Sequence, residues 1–265
     1  MNYRLIALDV DGTLLNDRHE LSERTKQAVR DVAAAGASIV LCTGRSPTGV
    51  IPIMEQLGLA GTVITHNGAA TVRSADRSIM HVYPFAADQL LELIRYCRER
   101  GLHMDICTPF HLHVEVDLES ETAAMYSTML VEPVRVADLL QLDEAPVKFT
   151  VFAGKDVLDA VEQDWRAFNM PLSIMRSGDY FIDVMHPQAT KGNALKLLAD
   201  SLGVDRSQVM AIGNYYNDVE MLRFAGLGIA MDNSPDEVKR QADAVTASNN
   251  EDGVYAALNR YVLNR

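Results

Sequence analysis

The sequence predicts an α/β protein with a doubly wound, Rossmann-like core of parallel strands, interrupted by an inserted α+β domain. Short apolar runs at residues 3–9, 38–41 and 62–65 each end in polar or glycine residues and alternate with helix-like segments, as in βα units joined by right-handed crossovers. From about Pro84 the pattern changes to paired short strands and amphipathic helices. After His186-Pro187 the first rhythm returns. The core is therefore expected to comprise residues 1–83 and 186–265, and the insertion residues 84–185.

Each element has a local reason. The first run ends at acidic residues and Gly12, as a buried parallel strand does when it delivers its carboxyl end to a loop. Ser22 suits an N-cap for a helix over 25–35, which Gly36 ends. The strand at 38–41 breaks at Thr43-Gly44-Arg45, a helix follows over 48–57, and the strand at 62–65 breaks at His66-Asn67-Gly68. All three loops should share one rim, where open α/β sheets bind ligands. In the insertion, a helix over 86–100 closes at Gly101, and strands at 103–107 and 111–115 flank Thr108-Pro109-Phe110. A helix near Leu118, a strand at 146–152 and a helix over 156–168 follow, then a hairpin of 172–176 and 180–184 turning at Ser177-Gly178-Asp179. These strands predict an antiparallel sheet. The core resumes with a helix over 191–202, a strand at 209–212, a helix over 218–224, a strand at 228–230 and a closing helix after Val254.

Composition narrows the function. The 265 residues are 48% hydrophobic, enough for two cores at about 100–200 residues per domain. A net charge of −12 leaves no broad basic surface for a nucleic acid, although a small anion can still enter a locally positive pocket. Cys42, Cys97 and Cys107 are odd in number and lack CxxC spacing, which argues against a disulfide framework or a thiolate zinc site. His103, His111 and His113 have no carboxylate at ligand spacing and are read as residues of the insertion rather than a zinc cluster. With no leader-like start and no apolar run of about 18 residues, the chain is expected to be soluble and cytoplasmic, with no membrane partner.

The chemistry lies at the strand ends. Asp9-Val10-Asp11-Gly12-Thr13 sets two carboxylates side by side just past a strand, where their repulsion calls for a cation or a shared proton. Mg2+ suits them, being a hard ion that binds carboxylate oxygen together with substrate phosphate. In Thr43-Gly44-Arg45 a hydroxyl is followed by glycine, which permits close approach of backbone to an anion; Arg45 either contacts that anion or orients the acidic groups. Lys191 opens a helix, a position the helix dipole disfavours, so a nearby anion is expected.

These segments, in this order, resemble the haloacid dehalogenase superfamily, whose phosphatases open with DxDGT on the first core strand. The size and element order of the insertion resemble the type IIB cap of the Cof-like branch. The resemblance implies that Asp9 is the nucleophile that becomes an aspartyl-phosphate, and that Asp11 protonates the leaving oxygen and then activates water. It implies that Thr43 and Lys191 act with them, and that Thr43, Gly44, Arg45, Asn67, Lys191 and Asn217 surround the phosphate. It implies Mg2+ held by Asp9, the Asp11 backbone carbonyl, Asn214 and Asp218, and a cap that selects a small phosphorylated metabolite such as a sugar or cofactor phosphate. The sequence departs from the family in Gly213-Asn214-Tyr215-Tyr216-Asn217-Asp218, where Asn214 takes the place of a metal-ligating aspartate and removes a negative charge. Two alternatives stay open: a phosphomutase or phosphotransferase using the same intermediate, and a non-catalytic phosphate-binding module.

Overall fold

The computed structural model describes residues 2–118, 120–128, 131–177 and 180–263. They form two compact units, one of Met1–His81 with Thr190–Arg265 and the other of Val82–Ala189. The first unit opens with β1 (Leu5–Asp9), α1 (Glu23–Ala34), β2 (Ser38–Cys42), α2 (Pro47–Gln56), β3 (Thr62–Thr65), β4 (Ala70–Arg73) and β5 (Ile79–Val82). The inserted unit carries α3 (Leu91–Arg100), β6 (His103–Cys107), β7 (Leu112–Val114), α4 (Ser120–Thr128), β8 (Val134–Arg135), β9 (Lys148–Phe152), α5 (Lys155–Trp165), β10 (Ser173–Arg176) and β11 (Phe181–Met185). The chain then returns through α6 (Lys191–Ser201), β12 (Val209–Gly213), α7 (Val219–Phe224), β13 (Leu227–Ala230), α8 (Asp236–Lys239), β14 (Ala244–Val245) and α9 (Gly253–Leu258).

The core sheet has the order β14-β13-β12-β1-β2-β3-β4-β5. Strand β1 is central, parallel to β12 on one side and β2 on the other, with Leu8 opposite Ile212 and Asp9 opposite Cys42. Every residue of β1 is buried, because helices cover both faces of such a sheet. One of its cores joins Leu5, Ala7 and Val40 to Ala194, Leu195 and Leu198 of α6. Burying each such leucine contributes about 1.5–3 kcal/mol, and this packing fixes where α6 begins. Ser22 caps α1 as expected, its hydroxyl accepting the Thr25 N–H at 3.1 Å.

The β4–β5 segment was not predicted. Strand β4 runs antiparallel to β3, while β5 is a short edge strand with exposed Ile79 and Met80 and no alternating pattern to signal it. The two-residue strands β8 and β14 also lack a readable period.

In the inserted unit the sheet order is β10-β11-β9-β6-β7-β8. Its pairings are antiparallel except that β7 and β8 run parallel, which corrects the expectation of a purely antiparallel sheet. The helix expected over 86–100 starts as a 3₁₀ turn at Ala87–Leu90, and α3 ends at Gly101 with φ of 63°. Of the expected turn at Ser177-Gly178-Asp179, Gly178 and Asp179 lie outside the described residues. One sheet face packs Ile106, Phe149, Val151, Ile182 and Val184 against Leu93, Ile94 and Trp165 of α3 and α5. Asp105, Thr150 and Asp183 align across β6, β9 and β11 at alternate positions, on the opposite face of the sheet, and all three are buried. The rings of Tyr83 and His186 stack 5.4 Å apart, so the two ends of the insertion lie side by side. Cys42, Cys97 and Cys107 are free and buried. Among the described residues no helix is long and apolar enough to cross a membrane.

Candidate active site

Because β1, β2 and β12 are adjacent and parallel, their carboxyl ends bring Asp9, Thr43 and Asn214 to one rim. Lys191 reaches the same place from the first residue of α6, whose N-cap Thr190 accepts the Asn193 N–H at 3.1 Å. Gly68, at φ of 102°, allows this approach: a Cβ there would stand 2.2 Å from the Thr190 carbonyl oxygen.

Lys191 Nζ donates to Asp9 Oδ1 at 2.7 Å and to Asp218 Oδ1 at 2.6 Å. All three groups are buried. Burial alone would discharge the ammonium, but Asp218 and Asp9 outweigh it and hold the Lys191 pKa above its usual value. Burial and the charge of Asp218 raise Asp9 above the ordinary carboxylate range, with Lys191 working against them. Here lies the anion that a lysine at a helix start requires.

Asp218, expected among the metal ligands, is placed differently. Its Oδ1 takes Lys191, and its Oδ2 accepts the backbone N–H groups of Asn214 at 2.8 Å and Tyr215 at 3.0 Å. It is the counter-ion of Lys191 and the fastening of the loop that carries Asn214. Gly213 is required beside it, since a Cβ there would lie 2.6 Å from Asp218 Cγ.

The outer atom of the Asn214 amide lies 2.9 Å from Asp9 Oδ2, 3.1 Å from the Asp11 carbonyl oxygen and 3.0 Å from Thr13 Oγ1. With nitrogen in that place the amide donates to those oxygens. With oxygen there, Asn214 would set it about 3 Å from an oxygen of Asp9 and from the Asp11 carbonyl, the edge length of an octahedron around Mg2+ at roughly 2.0–2.1 Å. The residues therefore fit a magnesium ion through a carboxylate, a backbone carbonyl and an amide. Among the described residues no trio of His, Cys, Asp or Glu side chains forms a metal site.

Asp11 is held by Arg45, whose Nε lies 2.8 Å from Oδ2 and Nη2 2.5 Å from Oδ1. Of the two roles the sequence left open for Arg45, this contact is the orienting of an acidic group. The Thr43 hydroxyl accepts the Arg45 N–H at 3.1 Å, which leaves its proton to donate. The Asn67 N–H donates to the Thr43 carbonyl at 3.0 Å, and Asn217 Nδ2 donates to Asn67 Oδ1 at 2.9 Å. Asn67 sits at φ of 55°, which asparagine tolerates, and its Oδ1 would stand 3.0 Å from a Cβ on Gly44. Asn67, Asn217 and Gly44 thus form one wall beside Thr43.

Sequence reasoning missed Thr13 as a partner of Asn214, and it missed Asp17, Asn233, Asn249 and Asn250, which bond within or to the loop after β1. Asparagine in a turn has a sufficient local explanation, so nothing in the sequence singles these out.

A parallel α/β core that sets a buried carboxylate, an ammonium and a cation-sized oxygen cluster at its strand ends defines a phosphoryl-transfer type of hydrolase. Residues 6–258 match the profile of the haloacid dehalogenase-like hydrolases, and the chain belongs to that family. It is 33% identical to the putative phosphatase YxeH of Bacillus subtilis over 279 residues, covering 98% of this chain and 99% of that one. It is 30% identical over 266 residues to the 5-amino-6-(5-phospho-D-ribitylamino)uracil phosphatase YcsE of Bacillus subtilis, covering 99% and 97%. The solved structure of BT4131, a sugar phosphatase of HAD subclass IIB, shares the fold at a TM-score of 0.82 and 22% identity, covering 97% and 98%. This chain is a phosphatase of the haloacid dehalogenase family.

Proposed function

We propose that the protein hydrolyses the phosphomonoester of a small metabolite in two displacements through an aspartyl-phosphate on Asp9, with Mg2+ as cofactor. The observation that carries this reading is the division of the Asp9 carboxylate, one oxygen on Lys191 and the other facing Asn214. A carboxylate so fixed is aimed for in-line attack.

In the first displacement an Asp9 oxygen bonds to phosphorus as the ester oxygen leaves, and Asp11 gives that oxygen its proton. In the second, water attacks the same phosphorus, Asp11 takes its proton, and the bond to Asp9 breaks. Lys191 and the Thr43 hydroxyl meet the phosphoryl oxygens. Arg45, which holds Asp11, would transfer to an arriving phosphate and so free the acid. Asp9, the Asp11 carbonyl and Asn214 would hold Mg2+, which when bound would supply neutralisation of charge on the transferring group.

The insertion, residues 84–185, serves as the cap that selects the leaving group. The named substrate of YcsE joins a phosphorylated ribityl chain to a uracil, and here Tyr215 and Tyr216 leave aromatic rings exposed next to Asn214. A sugar or cofactor phosphate, including one with a planar ring, suits that surface.

Phosphate release is measured over a panel of sugar and cofactor phosphates, with and without Mg2+. Release that needs Mg2+ and vanishes in Asp9→Asn supports the reading. Metabolite binding without turnover would replace it with a phosphate-binding module.

A further inference from the structure

The loop that carries both catalytic aspartates is held from outside by asparagines 221 to 234 residues away in sequence. Of its own backbone bonds two are long, Thr13 N–H to the Val10 carbonyl at 3.4 Å and Leu14 N–H to the Asp9 carbonyl at 3.3 Å, and one is ordinary, Leu15 N–H to the Val10 carbonyl at 3.0 Å. Asn233 Nδ2 donates to the Gly12 carbonyl at 2.8 Å. Asn249 donates its backbone N–H to Asn233 Oδ1 at 3.1 Å, and its amide nitrogen to both the Leu15 carbonyl at 3.2 Å and Asp17 Oδ1 at 2.9 Å. Asn250 Nδ2 takes the other Asp17 oxygen at 2.8 Å, and its Oδ1 accepts the Asp17 N–H at 3.2 Å.

Asn249 is the buried centre of this arrangement, 7% exposed, and its Oδ1 has no hydrogen-bond partner among the described residues. A buried acceptor left unmade destabilises the fold, a cost set against the two bonds that the amide nitrogen donates. What Asn249 supplies is an NH2 group with both hydrogens on the catalytic loop. That loop must hold the Asp11 carbonyl toward Asp9 Oδ2 and Asn214, and the Asp11 carboxylate toward the leaving oxygen. Displacement of either by about 1 Å is enough to slow such chemistry roughly a hundredfold.

We infer that Asn249, acting through Leu15, Asp17 and Asn233, is a positioning residue that fixes the loop from Asp9 to Asp17 for magnesium binding and proton transfer. The inference rests on the hydrolysis reading above. Asn249 touches neither the phosphate nor the metal set. Its effect should therefore fall on kcat and on magnesium, with little change in KM.

The test compares the wild type with Asn249→Leu and Asp17→Ala, reading aryl-phosphate hydrolysis against Mg2+, Mg2+ affinity by calorimetry, and thermal unfolding. Asn249→Leu removes both donors and the unmade acceptor together; because the buried Leu15 carbonyl loses a donor, it is expected to unfold at a lower temperature than the wild type while remaining folded at assay temperature. Its kcat falls and its Mg2+ half-saturation rises, each by about 10- to 100-fold, as for loss of a group that orients metal ligands. Asp17→Ala, a change at an exposed side chain, shifts both in the same direction. If both variants keep kcat and Mg2+ affinity within about twofold of wild type, or if Asn249→Leu loses activity only in proportion to unfolded protein while Asp17→Ala is normal, the inference is overturned. A wild type without turnover would sink the hydrolysis reading alone, because calorimetric Mg2+ affinity would still show whether Asn249→Leu disturbs the loop.

Discussion

Arg45 grips both carboxylate oxygens of Asp11, at 2.8 and 2.5 Å, across a gap of 34 residues in sequence. The pair is partly exposed, with side chains 22% and 42% accessible, so its net contribution to stability is about 0–1 kcal/mol. Its geometry matters more than its energy. Lysine is a point donor and cannot span both oxygens. Arg45→Lys should therefore lower kcat for phosphate release about tenfold, because a point donor neither holds Asp11 in place before substrate arrives nor grips the phosphate in two-point fashion after the transfer, with unfolding changed by less than about 1 kcal/mol. Steady-state kinetics beside urea unfolding checks this, and an unaltered kcat would show that the fork is dispensable.

Asp218 is predicted to matter for stability before it matters for metal. Removing one partner of a buried ion pair typically costs about 3–5 kcal/mol, and Asp218→Ala also strips the acceptor from two backbone N–H groups. A loss of that size is expected in urea unfolding of Asp218→Ala. Asp218→Asn keeps the shape, and its Mg2+ half-saturation should stay within about threefold of wild type. A rise of the 10- to 100-fold expected for disturbing a metal set would return Asp218 to the ligands.

The parts of the fold and site that the sequence reveals are those with a local signature. Asp9, Thr43 and Asn214 each follow a buried apolar strand, and adjacent parallel strands deliver their ends to one rim. Lys191 is legible because its place at a helix start is unfavourable without an anion. Asp218 is legible as a residue but not in its role, which depends on backbone N–H groups turned toward it by the fold. The clamp through Asn233 and Asn249 has no signature at all, since an amide in a turn looks the same whether it bonds to its neighbours or to Gly12 and Leu15. Strand β5 was missed for a related reason: an exposed edge has no buried face to impose alternation.

Asn214→Asp is expected to strengthen magnesium binding and weaken the metal-free protein. The new carboxylate would place an oxygen about 2.9 Å from Asp9 Oδ2, where the amide can instead donate. A second negative ligand should lower Mg2+ half-saturation by about tenfold. Without Mg2+ the two like charges repel in a buried place, and a stability loss of about 1–3 kcal/mol follows, restored by the ion. Urea unfolding with and without Mg2+ reads both effects. A variant equally stable under both conditions would show that no cation sits among these oxygens.

Asp105 gives the inserted unit a pH dependence of its own. Burial pushes its carboxyl up to about 6 from 3.8, against the pull of Lys148 and of the Tyr126 hydroxyl, which donates to Oδ2 at 2.8 Å. The fold thus favours the neutral acid. Its contribution to stability is complete below about pH 4, the unfolded value, and is lost as pH rises through about 6. Asn cannot titrate, so Asp105→Asn lacks this loss. Between pH 4 and 7 the variant should gain on the wild type by about 3 kcal/mol, since each tenfold change in proton affinity between the folded and unfolded chain is worth roughly 1.4 kcal/mol. Unfolding of both proteins across that range would show the two curves converging or crossing as pH rises; parallel curves would mean that Asp105 ionises in the fold as readily as in the unfolded chain.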